Sequence, residues 1–228
     1  MKSRSKGYRA LLESLDKTQV YTLEEGVSTI VKLSRGKYDE SVELHMVMNL
    51  KGTKGPQSVR GTVLLPKPVG KEKRIVVLTE DEAVSTSAKE AGADQIGGKE
   101  LITQIKSEGN IDADVIIATP DFMRFIAPVA KVLGPKGLMP SPKNGTTTED
   151  VARAIQEFKA GKAEFRMDKS GVIHQSIGKV SFSVEDIIKN IREFVAEIDK
   201  NRPEKVKGEF VKTAYLTLTQ SPSIKVKL

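Results

Sequence analysis

Hydrophobic residues follow two different patterns along this chain, and the pattern changes twice. A helical stripe begins after Thr22, whose hydroxyl can accept an N–H of the first turn while Glu25 reaches back, as in a capping box. Residues 42–48 then alternate between apolar and polar, which predicts a half-buried strand. A glycine-rich turn at 51–56 and a second strand at 59–65 follow. The beginning of the chain therefore predicts an α+β structure with antiparallel strands.

Between residues 67 and 160 the alternation is absent. The runs 74–79 and 114–119 are continuously apolar, as expected of parallel strands that are covered on both faces. Helical segments lie between and after them; one is expected to be capped by Asp121 and bent at Pro128. Buried strands that alternate with helices predict a three-layer, Rossmann-like α/β domain.

The antiparallel pattern returns from residue 162. Four strands and one long amphipathic helix are predicted there: strands at 163–167, 172–177, 210–219 and 224–228, and a helix that begins at Ser183. Because both ends of the chain share this pattern, residues 1–66 plus 161–228 are predicted to form one discontinuous α+β domain. Its predicted arrangement is a split β-α-β fold with an antiparallel sheet, into which the α/β domain of residues 67–160 is inserted.

Charge is divided in the same way. Residues 67–160 hold 13 Lys and Arg against 14 Asp and Glu, whereas the two ends hold 24 against 16, a net of +8. Positive charge confined to one part of a chain indicates a polyanionic partner. No basic amphipathic helix and no run of eighteen apolar residues occurs, so nucleic acid is favoured over a membrane. With no signal peptide visible, the expected compartment is the cytoplasm or the interior of an organelle.

No catalytic machinery is visible in the sequence. The chain has no cysteine, and its two histidines, His45 and His174, lie in predicted half-buried strands without a companion acid, which favours structural roles. Asp112 and Asp114 flank the start of a strand and are expected to be solvated. No catalytic residue, cofactor or metal is therefore predicted. The alternative that stays open is a small α/β enzyme that uses the inserted domain.

The segment Gly134–Gly145 reads Gly-Pro-Lys-Gly-Leu-Met-Pro-Ser-Pro-Lys-Asn-Gly. Three glycines and three prolines cannot propagate a helix or a central strand, so a loop of fixed shape is predicted. It lacks the pattern of a P-loop and follows a helix rather than a strand. No acidic residue lies between Asp121 and Glu149, so that Lys136 and Lys143 make the loop cationic. Such a loop suits a polyanion; an ordinary long connection is the alternative.

Polar and basic residues also cluster at loops and strand ends of the discontinuous domain: at Lys37–Tyr38, Arg166, Asp168–Lys169 and Thr217–Ser223. Hydroxyl and carboxylate groups beside lysines can recognise 2′-OH groups and base edges while the lysines hold phosphates. The chain has no tryptophan and few other aromatic residues, so stacking of bases on an open sheet is not expected to be the main mode of RNA binding. Shape-dependent binding to folded RNA is favoured.

Four stretches together resemble one family. Gly134–Thr146, Phe165–Gly171, Ile177–Lys179 and Lys37–Glu43 are similar to the bacterial-type large-subunit ribosomal protein L-one family, the protein of the mobile stalk beside the tRNA exit site. The resemblance runs over essentially the whole chain and implies a split two-domain fold. It also implies binding to large-subunit rRNA, contact with exit-site tRNA during release of the deacylated tRNA, and, in many members, repression of the protein's own mRNA through its leader. A ribosome-bound protein that is a monomer off the ribosome is expected.

Carried over by position, the resemblance implies an RNA-binding surface on the discontinuous domain, formed by Lys37, Tyr38, Ser41, Glu43, Arg166, Asp168, Lys169, Thr213, Thr219, Gln220 and Ser221. A weaker contact through Lys136 and Lys143 is implied for the inserted domain. The family usually has Phe and Thr at the positions of Tyr38 and Ser41. Its usual Thr-Met-Gly turn is Thr219-Gln220-Ser221 here. The lost glycine removes a site of close backbone approach, and glutamine in place of methionine exchanges an apolar contact for a polar one.

Overall fold

Both ends of the chain build one unit and the middle builds another. The computed structural model describes residues 5–16, 19–49, 59–70, 72–203, 206 and 208–228. Residues 1–69 and 164–228 form unit 1, and residues 70–163 form unit 2. The predicted boundaries at 67 and 160 lie close to these positions. The predicted fold class, α+β in one part and α/β in the other, is confirmed.

The helices and strands in chain order are α1 (Lys6–Glu13), β1 (Val20–Tyr21), α2 (Leu23–Lys32), β2 (Ser41–Met48), β3 (Arg60–Leu64), β4 (Ile75–Leu78), α3 (Glu82–Glu90), β5 (Gln95–Gly97), α4 (Lys99–Glu108), β6 (Val115–Ala118), α5 (Met123–Ile126), α6 (Ala130–Leu133), α7 (Val151–Lys159), β7 (Lys162–Arg166), β8 (Val172–Lys179), α8 (Val184–Lys200), β9 (Val211–Leu218) and β10 (Ile224–Val226). The predicted turn at 51–56 lies outside the described residues.

Unit 1 contains a five-stranded sheet in the order β1-β10-β9-β2-β8, in which β1 is parallel to β10 and the other pairs are antiparallel. Helices α2 and α8 pack on it. Buried and half-buried positions alternate along the whole of β2, as the sequence pattern predicted. The capping box at Thr22 is present, and Ser183 caps α8. Strands β3 and β7 form a separate two-stranded ladder.

Unit 2 is a three-layer α/β structure with the parallel strand order β5-β4-β6. One apolar cluster packs α4, α5 and α6 against one face of the sheet, and a second cluster packs α3 and α7 against the other. The sequence did not predict β5, because a three-residue, partly exposed strand leaves no apolar run. It also missed the two-residue β1.

The segment 120–133 corrects one prediction. Asp121 does not cap a helix; it lies inside a 3-10 turn, Pro120–Phe122, whose N-cap is Thr119. A second 3-10 turn at Ala127–Val129 contains Pro128 and separates α5 from α6, so the proline breaks the helix rather than bending it. No helix among the described residues is long and apolar enough to cross a membrane.

Candidate nucleic-acid interface

Polar side chains occupy the sheet face of unit 1 that lies opposite its buried side. On β2, Ser41, Glu43 and His45 alternate with buried apolar residues. On the neighbouring β9, Thr217 lies opposite Glu43, and Tyr215 lies opposite His45. Side chains directly opposite each other on antiparallel strands are within contact range. The strand pairing therefore collects Glu43, Ser41 and their neighbours into one polar face.

A buried carboxylate connects two loops at the edge of this face. Glu40 is only 1% exposed, and its Oε1 accepts hydrogen bonds from the backbone N–H groups of Arg35 and Gly36 at 3.0 and 2.6 Å and from the Ser34 hydroxyl at 3.2 Å. Its Oε2 accepts the backbone N–H of Gln220 at 3.2 Å. Burial raises the pKa of Glu40, but the backbone hydrogen bonds outweigh it, so that the pKa lies below its usual value.

Glu40 was not among the predicted site residues. Its role depends on a contact between positions 180 residues apart, which no local pattern reveals. The close fit is visible at Gly36, where an added Cβ would lie 2.8 Å from the Glu40 carboxylate. Glu40 therefore fixes the position of the predicted residues on either side of it without being exposed itself.

The loop that carries Lys37 and Tyr38 has a second anchor. Asp39 accepts hydrogen bonds from the backbone N–H and the hydroxyl of Ser181 at 3.0 and 2.8 Å, and the hydroxyl bond is the main cause that lowers the pKa of Asp39. Tyr38 is 50% exposed, and Lys37 is exposed as well. An anchored loop thus presents an aromatic ring and an ammonium group to solvent.

The turn 219–221 is held against the start of β2. The Thr219 hydroxyl accepts the backbone N–H of Ser41 at 3.2 Å, and Lys179 donates to the Ser41 hydroxyl at 2.8 Å. Ser221 stands where the family usually has glycine, and its hydroxyl accepts the backbone N–H of Leu218 at 2.9 Å. No non-glycine among the described residues has a positive φ. The turn therefore accommodates serine without left-handed backbone.

Asp168 organises the turn between β7 and β8. Its Oδ1 accepts the backbone N–H groups of Ser170 and Val172, both at 2.8 Å. The bond from Val172 is the largest cause that lowers the pKa of Asp168. Lys169 in this turn and Arg166 before it are exposed. The predicted cluster 166–169 is thus an ordered, charged turn.

The two histidines correct another prediction, because each has an acidic neighbour. His45 and His174 are cross-strand partners, and their Nδ1 atoms are 2.8 Å apart. The Nε2 atom of His45 lies 3.6 Å from the Glu43 carboxylate, and that of His174 lies 3.7 Å from Asp168. The pairing of β2 with β8 could not be deduced from the sequence alone. The result is a continuous row of four side chains that joins Glu43 to Asp168.

Thr213 lies further along the same strands. It is opposite Val47, whereas Thr217 is opposite Glu43. The structure therefore brings together Ser41, Glu43 and the turn 219–221, connects them to Asp168 through the histidines, and places Thr213 at the far side of this face.

The two predicted lysines of unit 2 differ in their surroundings. Lys136 donates to the Gly109 carbonyl at 3.3 Å and to Asn110 Oδ1 at 2.5 Å. Gly109 is the left-handed C-cap of α4, with φ of 67°, so Lys136 places its charge at the negative end of that helix. Lys143 lies exposed in the 3-10 turn Pro142–Asn144. Both lysines are exposed, but the ammonium group of Lys136 is already hydrogen-bonded.

Among the described residues, no group of three His, Cys, Asp or Glu side chains could hold a metal ion. A basic domain that presents lysines, carboxylates and hydroxyls on one sheet face is the class of architecture that nucleic-acid-binding proteins use.

Comparison with known proteins is more specific. Residues 30–222 match the Ribosomal protein L1p/L10e family. The relative named Large ribosomal subunit protein uL1 from Fervidobacterium nodosum is 44% identical over 228 residues, which cover 100% of this chain and 97% of the relative. Relatives of the same name from Solibacter usitatus and Persephonella marina are each 43% identical and cover 97% and 99% of this chain, and 92% and 94% of their own lengths. The chain belongs to the Ribosomal protein L1p/L10e family, which confirms the resemblance.

Proposed function

We propose that this protein is a constituent of the large ribosomal subunit, located on cytoplasmic ribosomes, that binds a folded segment of rRNA at the mobile stalk. The observation that carries this proposal is that Glu40 holds the loop of Lys37 and Tyr38 and the turn 219–221 together in one surface. Family membership and relatives that are named as large-subunit proteins over nearly their whole length support the same role.

The RNA-binding surface, defined as Lys37, Tyr38, Ser41, Glu43, Arg166, Asp168, Lys169, Thr213 and Thr219–Ser221, combines two kinds of group. Lysine and arginine side chains hold phosphates at the edges. Carboxylates and hydroxyls on the sheet and in the turn accept or donate hydrogen bonds to 2′-OH groups and base edges. Because the loops are anchored by the hydrogen bonds of Glu40, Asp39 and Asp168, little conformational entropy is lost when RNA binds.

The finer parts of the proposal follow from the family. Release of deacylated tRNA from the exit site is assigned to the stalk that the protein and rRNA form together. The same RNA-binding surface would recognise a similar fold in the leader of the protein's own mRNA and repress its translation. Lys143, and Lys136 to a lesser degree, would supply a second RNA contact. Off the ribosome the protein is proposed to be a monomer.

A small α/β enzyme in residues 67–160 has weaker support. Three relatives named as ribosomal proteins span this chain almost completely, inserted domain included. A nucleotide or metabolite that bound the full chain stoichiometrically would reopen that alternative.

The decisive experiment measures binding of the full chain to the stalk segment of large-subunit rRNA and to a scrambled RNA of equal length. With about six phosphate contacts, affinity is expected to fall roughly 10³-fold between about 50 and 200 mM salt. Glu43→Ala is expected to weaken specific binding far more than Lys136→Ala. Salt-insensitive binding, equal affinity for both RNAs, or failure to co-sediment with large subunits would contradict the proposal.

A further inference from the structure

His45 and His174, the only two histidines in the chain, meet on the sheet face of unit 1. Their rings are in edge contact, with centroids 4.9 Å apart. The His45 side chain is 25% exposed and that of His174 is 55% exposed. Both rings therefore lie between the predicted contact residues Glu43 and Asp168 and remain accessible from solvent.

The contacts of the two rings determine how many protons they need. The contact of 2.8 Å between the Nδ1 atoms requires one N–H group. Each Nε2 atom faces a carboxylate, Glu43 at 3.6 Å and Asp168 at 3.7 Å, and favours an N–H there because a bare imidazole lone pair is repelled by the negative charge. Two neutral rings carry only two protons for these three positions. A third proton satisfies all three and gives the pair one positive charge.

The surrounding groups limit this uptake to one proton. Burial lowers the pKa of His45 and the proximity of His174 lowers it further, while Glu43 raises it. A positive charge on one ring opposes a second one on its neighbour. Tyr215 on β9 lies opposite His45, and Lys225 on β10 lies opposite Tyr215, so the next charge across the sheet is positive.

We propose that His45 and His174 form a proton-sharing contact within the RNA-binding surface, and that the surface binds RNA more tightly when the pair holds its third proton. This rests on the proposed function, since it concerns the same surface. With both rings neutral, the row from Glu43 to Asp168 carries two negative charges beside the phosphates; the added proton halves that charge. A polyanion that prefers the protonated pair raises its pKa, so the gain in affinity is present at low pH and is lost as pH rises through the pKa of the complex.

The test measures affinity for the rRNA stalk segment at constant ionic strength between pH 5.5 and 8, for the natural chain and for the double variant His45→Asn/His174→Asn. Asparagine keeps a polar atom near the Nδ1 position but does not titrate. If RNA binding raises the pKa of the pair by about one unit, the natural chain binds more tightly at pH 5.5 than at pH 8, by up to about tenfold, whereas the double variant shows no such change. The chain has no cysteine, so the α-amino group is the only other protein group that ordinarily titrates in this range.

A second measurement needs no variant. Proton NMR of the histidine Cε1–H signals should show two coupled rings in the free chain and a higher midpoint in the complex. RNA affinity that is independent of pH would overturn the proton-sharing contact and leave the proposed function intact. The same dependence of affinity on pH in the double variant would also overturn it, since the group that titrates would then lie in the RNA or be the α-amino group. Absence of RNA binding at every pH would instead refute the proposed function.

Discussion

The carboxylate of Glu40 accepts the backbone N–H of Gln220 at 3.2 Å, across 180 positions of the sequence. Through its other oxygen the same side chain holds the N–H groups of Arg35 and Gly36. One buried group thus fixes the distance between the loop that carries Lys37 and Tyr38 and the turn 219–221. The geometry of the proposed RNA-binding surface therefore depends on a residue that RNA does not need to touch.

Replacement of Glu40 by Gln is therefore expected to weaken RNA binding. The glutamine oxygen can accept from Arg35 and Gly36, but its NH₂ group would then face the N–H of Gln220, so the tie to the turn is lost. Unfolding free energy should fall by about 1–3 kcal/mol, because a hydrogen bond to a buried, charged acceptor is removed. Affinity for the stalk RNA, urea unfolding and the amide signal of Gln220 are the measurements. An unchanged Gln220 amide would show that the turn does not depend on Glu40. Glu185→Gln, on the exposed first turn of α8, is a matched control.

The turn 219–221 is expected to tolerate glycine at position 221 but not proline. Ser221→Pro removes the N–H that donates to the Leu218 carbonyl at 3.3 Å. Ser221→Gly keeps this bond and loses only the hydroxyl that accepts from Leu218, at a stability cost of about 1 kcal/mol. RNA affinity should therefore drop for the proline variant and stay near its natural value for the glycine variant. Equal losses would mean that the hydroxyl, not the backbone of the turn, contacts RNA.

Substitutions of Lys136 and Lys143 are expected to have different effects, the first on stability and the second on RNA binding. Lys136→Met removes the donor to the C-terminus of α4 and is expected to lower the stability of unit 2 by about 0.5–1.5 kcal/mol with little effect on RNA affinity. Lys143→Met should leave stability unchanged and reduce both the affinity and its salt dependence slightly. Thermal unfolding and RNA titration of both variants test this assignment. The reverse pattern would make Lys136 the RNA contact.

Asn190 is expected to be essential for the stability of unit 1. It is fully buried on α8, accepts the N–H of Lys67 at 3.0 Å, and donates to the carbonyls of Lys67 and Ile177 at 2.9 and 2.8 Å. Asn190→Leu leaves these backbone groups without a partner, at about 1–3 kcal/mol for each group that water cannot reach. Urea unfolding measures the loss, with Lys189→Leu, one residue earlier and exposed, as the control. A loss no larger than that of the control would refute this role.

Local patterns predicted the parts of the fold that rest on local physics. The alternation along β2 and the capping box at Thr22 are both present in the structure. Asp121 was misplaced because Pro120 takes the first position of a 3-10 turn, which makes Thr119 the N-cap and leaves Asp121 inside the turn. Strand β5 was missed because it consists of three residues without a continuous apolar run. These errors arise where an element has only three residues, too few for a repeating pattern of apolar positions to be recognised.

The sequence by itself determined the fold class, the basic character of the two chain ends and, through the residues of Gly134–Thr146 and Lys37–Glu43, the family. These are properties of composition, periodicity and motif, and they need no knowledge of distant contacts. Only the tertiary structure decided which side chains meet: Glu40 with Gln220, and His45 with His174 between two carboxylates. The physical reason is that strand register and loop contacts join residues more than a hundred positions apart, and their protonation and hydrogen bonding depend on distances that folding alone sets.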